Sequence, residues 1–191
     1  MTYFYTSLAK YGGDLAVGAM TILSSVMQFA MLPLSGLGQG AQPIISYNFG
    51  AGNTPRVRSA FSLLLRISLG YSLTLWALVM LFPRLFAGIF TSDAALLDYA
   101  ARALRIYLAA LGIFGVQVAC QMTFTAIGSA KASITVAVMR KFVLLIPLIY
   151  LLPNILPIDQ ALAVYLAEPV ADLLAVSFTA ALFFTQFRKM E

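Results

Sequence analysis

Of 191 residues, 61% are hydrophobic and only 10% are charged, the net charge is +5 and the mean hydropathy is +0.91. A soluble domain carries about a quarter charged residues, so no water-soluble fold can hide this much apolar surface. The twelve Lys and Arg lie scattered between apolar stretches with no aromatic-basic patch, which argues against nucleic acid; there is no histidine, and the lone Cys120 can form no internal disulfide, so neither a metal centre nor an enzyme is expected.

A hydrocarbon core about 30 Å thick takes roughly 20 apolar residues per helical crossing, which leaves room for about five crossings in one transmembrane domain, 1–191. The predicted fold class is therefore all-α, a polytopic bundle. Met1–Tyr11 is too short and polar for a signal peptide and runs into the turn Gly12-Gly13-Asp14, so it reads as the partial end of a longer helix. A first full span is predicted over 15–47, with Pro33, the glycines 36, 38 and 40, and Pro43 bending it into a weaker helical stretch. Asn48–Pro55, dense in turn formers, is predicted to be a loop. A second span covers 59–82. Thr91-Ser92-Asp93 then offers a helix N-cap, which predicts a short interfacial helix over 93–99. The third span is placed at 100–127, the fourth at 134–152 and the fifth at 161–187, ending in Arg188-Lys189.

Orientation follows from the cations. Arg56, Arg58, Lys131, Arg140, Lys141, Arg188 and Lys189 fall on one side, and Lys10, Arg84, Arg102 and Arg105 on the other. The richer side should be cytoplasmic, and the carboxy terminus with it; Arg56, Arg58, Arg140 and Lys141 would anchor that face.

Four stretches in order carry a family likeness. Gly36–Asn53 (GLGQGAQPIISYNFGAGN) closely resembles the end of the second helix of each half of the multidrug and toxic compound extrusion (MATE) transporters, with the loop that follows it. Ala126–Ser133 (AIGSAKAS) resembles the loop after the tenth helix, Arg140–Pro153 (RKFVLLIPLIYLLP) the eleventh helix and Ala167–Asp172 (AEPVAD) the twelfth. The resemblance implies a fold of twelve helices in two six-helix lobes related by a pseudo-two-fold axis along the membrane normal. This chain would supply the carboxy-terminal lobe, with its first helix truncated, and its partner would be the missing amino-terminal six-helix lobe. It also implies a multi-pass protein of the plasma (inner) membrane. The activity implied is secondary efflux of organic, cationic amphipathic compounds, coupled to H+ or Na+ and needing no other cofactor. A lipid-linked precursor flippase of the same superfamily, a non-transporting membrane subunit and a truncated fragment stay open as alternatives.

Glu168 and Asp172 are acids inside a predicted span, one helical turn apart and so on one face. Two bare carboxylates there repel each other and favour holding a proton, as a proton-coupled carrier needs; each would equally suit an ion pair that holds the lobe together. With outer edges aligned, Glu168 and Arg105 lie at ~10 Å and ~8 Å and are in reach of each other. Asp172 lies ~22 Å from the inner edge and Arg140 ~9 Å, which predicts no direct pair. Gln28, Gln117 and Gln121 sit mid-span, where an amide needs either an aqueous cavity or an interhelical partner. With Phe114, Phe124, Met122, Met27 and Met31 they would make a soft wall for amphipathic cations, although Met and Phe also serve as ordinary packing. Pro33, Pro147 and Pro169 are candidate hinges or simple kinks. The glycine-rich Gly38-Gln39-Gly40 and Gly50-Ala51-Gly52 lack a phosphate-loop lysine, so nucleotide binding is not expected.

Overall fold

A computed structural model describes residues 2–157 and 159–188. Met1 and Lys189 of the predicted end segments fall outside them. Among the described residues the secondary structure is entirely helical.

Helix α1, Thr2–Tyr11, stops at Gly12, and Gly13 takes a positive φ of 62°, a backbone state open to glycine at little cost. The chain then enters α2, Gly13–Gly50, ~57 Å long at 1.5 Å per residue and longer than one bilayer crossing. Pro33 and Pro43 are accommodated inside it, so the predicted weaker stretch is helix throughout. The predicted loop 48–55 also shrinks to a turn at 51–53. Its turn formers act as caps instead: Asn48 Nδ2 donates to the Ile44 carbonyl at 2.8 Å, Gly52 takes a φ of 68°, and Asn53 accepts the Arg56 amide at 3.3 Å to start α3, Thr54–Leu81.

Pro83 opens a six-residue helix, α4, Pro83–Gly88, that the sequence reading did not separate. Asp93 caps the next helix through the Leu96 amide at 2.8 Å, as predicted, but α5 runs over Ala94–Tyr107 and takes up the first part of the predicted third span. Tight turns through 108–110 then bend the chain by 50° into α6, Leu111–Ala126. The third span is therefore broken. Gly115 explains the path of α6: a Cβ there would collide with the backbone of Ser68, so glycine lets α6 lie directly against α3, its most extensive partner.

The fourth span is one rod of three pieces: α7, Ala130–Val138, a π-helical segment over Met139–Leu145, and α8, Ile146–Ile155. Pro147 has no N–H to give the carbonyl four residues back, and the widened turn, in which the Ile146 amide reaches the Lys141 carbonyl, accommodates the gap. Helix α9, Gln160–Arg188, closes the bundle; Tyr165 Oη donates to the Ala16 carbonyl at 2.7 Å and ties it to α2. Among the described residues four helical segments are long and apolar enough to cross a membrane, at 13–50, 54–81, 131–155 and 160–185, and the bent pair α5–α6 passes the same test when its two helices are taken together. One apolar core joins α1, α2, α5 and α9 around Leu8, Met20, Leu104 and Tyr165. A second joins α3, α6 and α9, where Phe61 stacks on Phe183 at 4.4 Å between ring centroids.

Candidate functional site

Three charged side chains meet inside the bundle. Glu168 and Asp172, one turn apart on α9, are both buried, and the guanidinium of Arg140 bridges them. Its Nε donates to Asp172 at 2.6 Å and one terminal nitrogen to Glu168 Oε1 at 2.9 Å. Charged hydrogen bonds of this length are among the strong ones, and only the planar fork of arginine gives both at once. The guanidinium also lies 4.8 Å from the centroid of the Phe114 ring, a cation–π contact within the apolar bundle.

This arrangement corrects both pairing expectations. Arg105 does not reach Glu168; its Nε donates to the Met80 carbonyl at 3.1 Å, on the last turn of α3. Arg140 does reach Asp172. The fourth rod begins near residue 130 rather than 134, so Arg140 lies ~15 Å along it, against ~24 Å for Asp172 measured from the end of α9. The long arginine stem spans what remains, and residue 140 lies within the π-helical segment.

Beside the triad opens a cavity of about 350 Å³, walled by Met27 and Met31 of α2, Phe114 of α6, Tyr107 and the α9 carboxylate of Glu168. Lys141 stands on its rim, exposed, and forms no ion pair with either acid. The predicted soft wall is thus split in two. Met27, Met31 and Phe114 face the cavity, whereas Phe124 packs edge-on against Phe183 at 5.2 Å and Met122 lies against Gly38. The glutamines do not line it. Gln28 is exposed, Gln121 half-buried, and Gln117 is 2% exposed with its Oε1 unpartnered among the described residues. Pro169 is buried beside Glu168, Pro147 follows the π-helical segment, and Pro33 is exposed on α2. Arg56 and Arg58 are exposed at the start of α3. The sequence reading missed Tyr107; its one available signal was a polar-tipped side chain within an apolar span.

A bundle of helices long and apolar enough to cross a membrane, packed around a buried ion-paired centre beside a cavity, defines a polytopic membrane protein. The chain belongs to the MatE family, whose profile matches residues 1–151. It is 27% identical over 159 residues to a FAD transporter of Shewanella oneidensis, covering 83% of this chain and 34% of that protein. It is 26% identical over 146 residues to the multidrug export protein MepA of Staphylococcus aureus, covering 76% of this chain and 32% of MepA. Among solved structures, the MATE multidrug transporter DinF-BH superposes with a TM-score of 0.79 at 30% identity, over 93% of this chain and 39% of that one. The chain thus spans about a third of the length of the curated relatives it matches.

Proposed function

We propose that this chain is the carboxy-terminal lobe of a secondary exporter that moves organic, amphipathic cations out of the cell against an inward flow of H+ or Na+. In this reading it works with a second, amino-terminal lobe in the plasma membrane, with its carboxy terminus and the Arg56–Arg58 end facing the cytoplasm. The observation that carries the reading is the charge imbalance of the triad. One guanidinium serves two buried carboxylates, so with all three groups ionised one negative charge remains beside an apolar, Met- and Phe-walled cavity. Within a membrane such a charge is costly and is met by a small cation or by a cationic substrate. The two compete for the same charge, and that competition is what antiport requires: loading one expels the other, and each favours a different packing of the helices around Arg140. Similarity to MepA supports the multidrug substrate class.

The test is binding to the purified chain in neutral detergent, which needs no transport cycle. Binding of ethidium should release a proton into weakly buffered solution if H+ is the coupling ion, or be weakened by Na+ at constant pH if Na+ is. Asp172→Asn should abolish either linkage. Ethidium binding that is indifferent to both cations, or linkage unchanged in Asp172→Asn, overturns the reading. FAD binding stronger than ethidium binding would move the substrate class toward that of the Shewanella relative.

A further inference from the structure

At the far end of α3 from Arg56 and Arg58, a second cavity of about 710 Å³ opens where α3 ends, α4 begins and α5 passes by. Three arginines line it. Arg84 comes from α4, while Arg102 and Arg105, three residues apart on α5, share a face. Among the described residues that line the cavity there is a single acid, Asp98, which pairs with Arg84 at 2.8 Å. Arg105 is held in place by its bond to the Met80 carbonyl, which leaves its terminal nitrogens available, and Arg102 has no ion pair among the described residues. Two positive charges are therefore in surplus.

The rest of the wall is apolar and open. Leu81, Phe82 and Leu85 are 67%, 55% and 68% exposed, at the point where the apolar helix α3 gives out. That is the depth at which hydrocarbon gives way to headgroups. A soluble anion has no use for an apolar wall, whereas a lipid has use for both halves: guanidinium forks match phosphate oxygens bidentately, and an acyl chain lies along Leu81, Phe82 and Leu85. We propose that this cavity is a binding site for an anionic phospholipid, with Arg102 and Arg105 on its phosphate and Arg84 released toward it from Asp98. The site is independent of the Arg140 triad and of any transport reading.

The test is native mass spectrometry of the full chain, purified in neutral detergent and given phosphatidylglycerol or phosphatidylcholine. Phosphatidylglycerol should be retained about tenfold better, since each basic side chain at a membrane surface adds attraction for an anionic headgroup. Arg102→Gln/Arg105→Gln should erase that preference while circular dichroism shows the helices intact. Asp98→Asn removes the competing anion and should strengthen phosphatidylglycerol retention severalfold, a gain that misfolding does not produce. Equal retention of the two lipids, a preference that survives the double substitution, or weaker retention in Asp98→Asn overturns the proposal. So does displacement of the lipid by millimolar glycerol phosphate, which would make the ligand a soluble phosphate.

Discussion

The two arginine clusters of this chain are built on opposite terms. Around Arg140 two acids surround one cation, and Asp172 and Glu168 are nearly closed off from solvent; around Arg102 and Arg105 three cations share one acid, and the Arg84–Asp98 pair is 72% and 53% exposed at its side chains. A charge inside a membrane bundle must be answered by a partner held at hydrogen-bond distance, whereas an interfacial charge is answered by water, ions and headgroups. The inner cluster is thus a place where one unit of charge decides the structure. The outer cluster can carry a surplus.

The strongest way to break this contrast is to remove the inner cation. Arg140→Leu strands two buried carboxylates, and unfolding in detergent should show a loss of ~3–5 kcal/mol, the usual result of orphaning a buried ion pair. Removing all three charges together, as Arg140→Leu with Glu168→Gln and Asp172→Asn, should restore most of that loss, because no ion is then left without a partner. A triple variant no more stable than Arg140→Leu would mean that the side chain acts through packing, including its contact with Phe114, and not through charge.

Single neutralisation of an acid should be gentler. Asp172→Asn or Glu168→Gln leaves Arg140 one full partner and an amide oxygen that still accepts a hydrogen bond, so each should cost ~1–3 kcal/mol in the same unfolding measurement. The two changes together strand the guanidinium, and the double variant should lose more than the sum of the single ones. Simple additivity would show that the acids do not share Arg140 in solution.

Much of this architecture is written in the one-dimensional pattern. Long, mostly apolar runs bounded by proline, glycine and capping residues mark the predicted crossings, because the bilayer imposes its own length on a helix, and Asp93 marks a helix start through its capping chemistry. Depth along a helix was harder to read. Aligning span edges mispairs both cations: Arg105 because the third span is broken and α5 carries it to the last turn of α3, and Arg140 because the fourth rod starts earlier than its first apolar residues suggest. Nothing in the composition of Met139–Leu145 marks the π-helical segment apart from Pro147 just beyond it. The acids Glu168 and Asp172 were legible as a site because intramembrane carboxylates are rare and expensive; which cation meets them was not, because it depends on helix rotation and reach. The break at 108–110 is likewise unmarked, since Leu108-Ala109-Ala110 contains no residue that disfavours a helix; the structure shows a 50° bend there, with α6 lying directly against α3 at Gly115.

The smallest effect sharpens the comparison from the outer side. Arg84→Gln removes a salt bridge as short as those of Arg140, 2.8 Å against 2.6 and 2.9 Å, so distance alone would rank the three alike. Exposure should rank them instead. Both partners are largely solvated, each is rehydrated when the other is lost, and holding two long side chains in one geometry costs entropy, so the change should be ~0.2–1 kcal/mol and should shrink as salt is added. Measured in neutral detergent without added lipid, unfolding of Arg84→Gln should therefore lie close to wild type, with the remaining gap closed at molar salt. A loss as large as that of Arg140→Leu would place Arg84 and Asp98 in a dry environment, and the distinction between a charge-balanced interior and a charge-tolerant rim would fail.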